Sequence, residues 1–407
     1  MALKKAQNSR LVLNEEVQFS TQVQVPSALH PVVRARVVEG NYKKAESLLW
    51  NEAIAVPDLQ KVRTLLSRGK LEEAGRLIEK QVSKETLARS ENQLEKARLL
   101  SFGGKWVGSI QLCTELLNSE QLAGISRLTV FQIRANALFE VGEFHKSLRD
   151  IENAEPLLLI YPSAPSGFYL KILHVKVLLK LGETTAADYA RNLLVSTSTQ
   201  KAAISSDELL ALFRLESYVA RQKKLPFKNW AYCAYVLSKA MGDDLYAGLA
   251  LVEWSLGQES MSQDALGMLE HYRRRFSRVE SLFHEMKRPE KTEQKTEKTN
   301  ETSDFVAWKD FSSQFLVILP WNLILNLDDV HAWSVHITPQ IEQFLRYFQG
   351  NAVSERGAVF QSIWNLSYRE ELHKDVLNTA FKRLKAATRV PFAARLGKIQ
   401  APRIRVI

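Results

Sequence analysis

Between residues 31 and 287 the apolar positions recur every three to four residues in stretches of helical length, and the stretches come in pairs joined at a glycine. The copies read VVRARVVEGNYKKAESLL around Gly40, VRTLLSRGKLEEAGRLI around Gly69, ARLLSFGGKWVGSIQLC around Gly104, IRANALFEVGEFHKSLRDI around Gly142 and LHVKVLLKLGETTAADYA around Gly182. After each glycine the second helix opens on an aromatic or small residue and an Ala or Ser. The glycines fall 29, 35, 38 and 40 residues apart, a drift expected when the helices of a degenerate array lengthen. Two weaker copies follow, one turning near Pro226 and one near Gly257. A helical hairpin too small to bury its own apolar face buries it on its neighbours, so the pattern predicts a stacked array.

The pattern stops at Arg288. Residues Arg288–Asp304, RPEKTEQKTEKTNETSD, carry no apolar side chain and cannot offset the entropy of ordering them. A flexible polar linker is expected there, with an N-terminal extension at residues 1–30 and a separate module from Phe305 to Ile407. The module opens on the runs FLVILPWNLILNL and AWSVHIT, which have strand character. Three helices are expected next. Thr338-Pro339 opens the first, with Ile341, Phe344, Leu345 and Phe348 on one face and Gly350 at its end. Ser354 is the expected N-cap of the second, which turns Val359, Phe360, Ile363 and Trp364 inward. The third, Leu372–Thr388, buries Leu377, Phe381 and Leu384 and leaves Lys374, Asn378, Lys382 and Lys385 along an outer stripe. At that spacing Trp364 and Phe381 are core residues, not stacking platforms. Beyond Arg389, Pro391 and Gly397 punctuate a segment ending KIQAPRIRVI, which is expected to form a basic β-hairpin.

Charge changes what this module is expected to meet. The 407-residue chain has a formal charge of +10, and from His373 to Ile407 nine basic residues stand against the single acid Asp375, a local charge of +8. Such a concentrated field implies a polyanion. Asn378 and Thr379 have side chains suited to base edges, while Lys382 and Lys385 suit phosphates. Lys374, Arg383, Arg395, Lys398, Arg403 and Arg405 complete the candidate surface, on which Lys374, Asn378, Lys382 and Arg403 are expected to face one way. Arg273-Arg274-Arg275 reads as ordinary exposed charge.

Little else in the chain points to chemistry. Gly103-Gly104-Lys105 is followed by Trp106, not by the Ser or Thr of a phosphate loop, and His284-Glu285 lacks the second His of a zinc-binding helix. His331 and His336 have no partners at metal-ligand spacing. Cys113 and Cys233 form neither a disulfide framework nor a metal pair and read as small buried hydrophobes. No enzymatic activity, metal or cofactor is expected. The chain has no apolar run of membrane-spanning length, and Met1–Gln24 lacks a signal-peptide core, so a cytoplasmic protein without a membrane partner is expected.

Two family resemblances follow from these residues. The glycine-turned hairpins, with Tyr42 or Phe144 after the turn and Ala45 or Ala74 in the second helix, resemble the tetratricopeptide repeat family over Pro31–Lys287, although that family's early Trp and closing Pro are mostly missing. From about Phe315 to the C-terminus the module resembles the winged-helix domain of OmpR-type regulators, on Thr338-Pro339, on Ser354, Glu355, Val359, Ile363 and Trp364, and on Phe381-Lys382-Arg383-Leu384-Lys385. The family's closing Gly-Tyr-Arg-Leu is replaced by Pro402-Arg403-Ile404-Arg405-Val406, and no receiver domain precedes the module. Together the resemblances imply a mainly α protein, an α-solenoid followed by a small α/β winged-helix domain. They also imply a nucleoid-associated transcriptional regulator whose third helix enters the major groove of double-stranded DNA. The repeats would bind a protein, a peptide or a small effector, with the first helix of each pair lining the concave side and Asn41, Arg134 and Asn136 among the candidates. The small interface of a single module calls for a homodimer or tandem sites. The rival is an assembly scaffold of PCI type, in which the winged helix packs against protein. Two features weigh against it: the polar linker, because in that family the module abuts the last repeat, and the +8 terminus.

Overall fold

The computed structural model describes residues 58–67, 70–82, 89–119, 122, 124–162, 164–199, 204–256, 263–287, 314–351, 353–395 and 398–407. The repeat around Gly40, the turn residues Gly69 and Gly257, Asn41 and the linker Arg288–Asp304 lie outside them. The chain is mainly helical with a small C-terminal sheet region. Its helices are α1 (Asp58–Ser67), α2 (Leu71–Val82), α3 (Arg89–Phe102), α4 (Trp106–Asn118), α5 (Gly124–Glu140), α6 (Phe144–Ile160), α7 (Pro165–Lys180), α8 (Thr184–Thr199), α9 (Ser206–Gln222), α10 (Lys228–Met241), α11 (Asp244–Ser255), α12 (Gln263–Arg275) and α13 (Ser277–Lys287).

The hairpin turns follow the sequence pattern. Gly104, Gly142, Gly182 and Gly242 sit at φ +73°, +85°, +84° and +78°, a left-handed conformation that costs glycine nothing and strains other residues. Five positions beyond each of Gly69, Gly104, Gly142, Gly182 and Gly242 stands a small residue with no exposed surface: Ala74, Ser109, Ser147, Ala187 and Ala247. Small side chains there let the second helix approach the first. In two successive hairpins the approach is also tied by the same bond: the Ser109 hydroxyl donates to the Ala97 carbonyl at 3.0 Å and the Ser147 hydroxyl to the Ala135 carbonyl at 2.8 Å.

Consecutive helices pack together except α8 and α9, and α1, α3, α5, α7 and α9 also touch in turn as one layer. The array does not stay open. α13 returns to its early part, where the Ser277 hydroxyl donates to the Gly103 carbonyl at 3.0 Å across 174 residues of sequence. Arg278 pairs with Glu140 at 3.1 Å and lies 5.0 Å from the Trp106 ring.

The C-terminal unit holds β1 (Phe315–Ile318), a 3-10 turn at Leu319–Trp321, β2 (Leu323–Asn326), β3 (His331–Ser334), α14 (Pro339–Gly350), β4 (Val353–Glu355), α15 (Arg356–Trp364), α16 (Glu370–Thr388), β5 (Ala393–Arg395), β6 (Lys398–Gln400) and β7 (Ile404–Val406). One sheet has the order β3-β2-β1-β7, with β7 parallel to β1 and the other pairs antiparallel; a second has the order β4-β6-β5. Two sequence expectations change here. Ser354 is not the cap of the second helix but a strand residue opposite Ile399, and Glu355 takes the N-cap position. The final segment is not all hairpin either: β5 and β6 form it, while Pro402–Val406 leaves it and joins the other sheet beside β1.

In the four-stranded sheet β1 is buried on both faces, and exposure is confined to the edge strand β3. Alternate residues serve different cores. Leu316, Ile318, Leu323, Leu325 and Ala332 join the core of α7–α13, whereas Phe315, Val317, Ile324, Ile404 and Val406 join Phe344, Phe348, Phe360 and Phe381 of the three C-terminal helices. At the first face Trp321 stacks on Phe213 (ring centroids 5.4 Å, 7° between planes) and on Trp230 (4.9 Å). The Ser206 hydroxyl donates to the Val330 carbonyl at 2.7 Å, and that of Ser334 to the Thr199 carbonyl at 3.3 Å. The C-terminal unit is therefore seated on the helical array, contrary to the separation that the polar linker suggests.

Candidate nucleic-acid interface

α16 carries four basic residues, three of them in its second half, against three acidic ones in its first, and its two ends are held from outside the helix. At the start, the Arg369 N–H donates to His373 Nδ1 at 3.0 Å, and the His373 ring stacks on Phe360 at 4.4 Å and 15°. At the end, the Thr388 carbonyl accepts from Trp333 Nε1 at 3.1 Å, and Arg389 closes the helix in the left-handed region at φ +57°. Leu377, Phe381, Leu384 and Thr388 fix the inner face. The nineteen residues of α16 make a rod of about 28 Å at 1.5 Å per residue.

On the outer face Lys374, Thr379, Lys382, Arg383 and Lys385 are exposed and Asn378 is half-buried. Lys374 lies 3.9 Å from Glu370. Lys382, Arg383 and Lys385 form no ion pair with another described residue, so their charge is directed to solvent. The same face also carries features that the basic count leaves out. Glu370 and Glu371 occupy the first turn, where the helix dipole favours them, and Leu372 and Val376 are exposed apolar residues.

The hairpin contributes less than the sequence suggests. Lys398 is exposed but pairs with Glu355 across the β4–β6 ladder at 3.3 Å. Arg395 lies opposite Lys398 in β5; its side chain is outside the described set. Arg403 is exposed, and its carbonyl accepts from the N–H groups of Gln314 and Phe315, so it stands at the edge of the four-stranded sheet and not on the hairpin. Arg405 departs furthest. It is paired with Leu316 in the sheet register, and its guanidinium lies 5.6 Å from the Tyr232 ring of α10, facing the helical array. The structure thus gathers Lys374, Asn378, Thr379, Lys382, Arg383 and Lys385 on one helix, with Lys398 and Arg395 on the adjoining hairpin, and places Arg403 and Arg405 in another sheet. His373, Trp333 and Thr388, which set the pose of α16, carry no local signal, because each works through a partner distant in sequence.

In the helical array, Arg134 is not a free groove residue. It makes a bidentate pair with Asp150 at 2.6 and 2.7 Å and donates to the Thr114 hydroxyl at 3.2 Å, which ties α5 to α6 and α4. Asn136 is half-buried. Cys113 and Cys233 are free and buried; burial pushes the Cys113 thiol up to about 12 and raises Cys233 further, so neither is a thiolate at neutral pH. No helix among the described residues is long and apolar enough to cross a membrane. No family model, curated protein or solved structure matches this chain.

Proposed function

We propose that the chain is a DNA-binding transcriptional regulator: a tetratricopeptide-type array carrying a winged-helix module, with α16 as the recognition helix and the β5–β6 hairpin as the wing. One observation carries the reading. Lys382, Arg383 and Lys385 stand exposed and without ion pairs on a long helix held at both ends, which suits a surface that waits for phosphate. The element order supports it as well: three helices behind a leading sheet, with a hairpin that recruits a short strand from between the first two helices. In this reading Thr379 and Asn378 meet base edges while the cations meet the backbone. The function is recognition, and the chemistry of the chain is that of binding.

A second reading is favoured by two observations. The direct seating of the sheet on α9 and α10, together with the exposed Leu366, Leu372 and Val376 around the start of α16, also suits a non-enzymatic scaffold whose winged helix meets protein. The test is selection of the full chain on a pool of random duplex DNA at two salt concentrations. The full chain is required because the isolated unit would expose Leu316, Ile318, Leu323 and Leu325. Enrichment of a common site supports the regulator. Absence of binding at low salt overturns it in favour of the scaffold.

A further inference from the structure

The odd-numbered helices carry a second group of cations that the DNA reading does not use. α7 supplies Lys176, α9 supplies Arg214, Tyr218 and Arg221, α11 supplies Tyr246 and Glu253, α5 supplies Glu140 and α13 supplies Arg278. The cations are arranged on aromatic rings. Lys176 Nζ is 5.3 Å and the Arg221 guanidinium 5.6 Å from the centroid of the Tyr218 ring, and the Arg214 guanidinium is 4.3 Å from that of Tyr246.

The carboxylates near these cations are already engaged. Glu140 pairs with Arg278, and Glu253 accepts from the Ser217 hydroxyl at 2.9 Å. Glu285 on α13 is exposed, so solvent screens it. Asp243, within the field of Arg214, accepts from the Tyr246 N–H at 3.0 Å, and burial pushes its carboxyl up to about 8. Among Lys176, Arg214, Arg221, Arg278, Glu140 and Glu253 there remain two more positive charges than negative ones. Polar groups are left over too. The Tyr218 hydroxyl is buried on a residue only 7% exposed and has no hydrogen-bond partner among the described residues, and neither does Arg221 Nε. Buried donors without acceptors, beside an excess of charge, are costly unless something satisfies them.

We propose that Lys176, Arg214, Arg221 and Tyr218 form a binding site for a small phosphate-bearing anion. A dianion matches the residual charge, and its oxygens accept from the Tyr218 phenol and Arg221 Nε, which have no acceptor among the described residues, and from the Lys176 ammonium beside them. Two packed helices, α7 and α9, converge there, and Arg278 of α13 adds its charge to the field at Lys176. Lys176 agrees with this assignment. Burial, and next the neighbouring Arg214, push its ammonium down to about 8, and a bound anion would reverse that shift, so that Lys176 takes up a proton on binding in mildly alkaline solution. The proposal deepens the view of the array as the regulatory half of a regulator and takes its biological sense from that view, but the binding itself does not depend on DNA.

The experiment is calorimetric titration of the full chain with inorganic phosphate at constant ionic strength, without DNA. One saturable site is expected. Lys176→Met and Tyr218→Phe should each weaken it about tenfold, the loss of one hydrogen bond to a charged group, while Lys171→Met on the exposed side of α7 leaves it unchanged. Tyr218→Phe keeps the ring and so decides the matter even if Lys176→Met fails to fold. Lys382→Glu separates the two readings: it should weaken DNA binding and spare phosphate binding. Heat without saturation, saturable binding indifferent to Tyr218→Phe, or binding lost in Lys382→Glu would each overturn the site. Phosphate binding that follows Tyr218, in a protein that selects no DNA, would keep the site and overturn the regulator.

Discussion

The protein carries cations in two settings that are opposites in physical terms. On α16, Lys382, Arg383 and Lys385 stand in water along a convex rod, with their counter-ions free to leave. In the array, Lys176, Arg214 and Arg221 lie against aromatic rings, half-buried and short of carboxylates. Exposed cations gain by releasing condensed ions from a polyanion and lose that gain in salt. Desolvated cations gain from a compact anion that reaches them, and salt screens them less. The same residue types therefore suit two partners of different size, and surroundings decide which.

The contrast can be attacked at several points. The largest effect expected is at the seam between the two regions: Trp321→Ala, which removes the stack on Phe213 and Trp230, should cost about 3 kcal/mol or more and divide one calorimetric unfolding transition into two. A single unshifted transition would mean that the seam contributes little. Next comes the double reversal Lys382→Glu with Arg383→Glu, for which a loss of DNA affinity of roughly a hundredfold at low salt and a shallower salt slope are expected in anisotropy titrations. An unchanged slope would take α16 out of the interface.

Smaller is the effect of Asp243→Asn, which keeps the bond to the Tyr246 N–H, now 3.0 Å, and removes an ionisable group. Because the carboxyl of Asp243 is raised to about 8 in the fold, the native state holds a proton that the unfolded chain loses near pH 4, and stability falls as pH rises between those values. The variant should accordingly gain on the order of 2 kcal/mol over the wild type at pH 9 and little at pH 4. A gain independent of pH would mean that Asp243 is ionised at neutrality, which would supply the array with a counter-charge and weaken the contrast. The smallest effect belongs to Lys398→Ala. Its exposed pair with Glu355 should contribute less than about 0.5 kcal/mol, so urea melts should coincide while the DNA salt slope drops by roughly one unit.

Much of this fold was legible in the sequence, and the misses share a cause. Gly104, Gly142 and Gly182 announced their turns because a left-handed turn selects glycine wherever it occurs, and α14 kept its expected start because the Thr338 cap, Pro339 and an apolar face all act locally. α16 begins at Glu370, two residues before the Leu372 read from periodicity, since acidic residues at a helix start look like loop when charge is weighed alone. Ser354 has the chemistry of a cap, yet the ladder to Ile399 claims it for a strand. Arg405 illustrates the limit most clearly: the alternation Ile404-Arg405-Val406 shows that it opposes its neighbours, but whether the opposite side is water or another body depends on Tyr232, far away in the chain. The same holds for α13, whose contact with Gly103 no local pattern encodes. Periodicity reports that a face is buried; it does not say against what. For the candidate site this meant that the helix was legible and the outline of the surface was not, and the cation cluster around Tyr218 went unread because Lys176 reaches the α9 residues only through packing of a separate helix.

The sheet that unites the two halves imposes an unusual constraint on change. In β1 each neighbour along the strand belongs to a different core, so an insertion of a single residue ahead of Leu316 would reverse every assignment: side chains shaped for the array would turn to the three-helix side, and those shaped for Phe344 and Phe348 would turn to Trp230. In an ordinary surface strand such a slip turns the polar side inward against a single core. In β1 there is no polar side to yield, and both halves would fail together, so this short wall tolerates little variation in length.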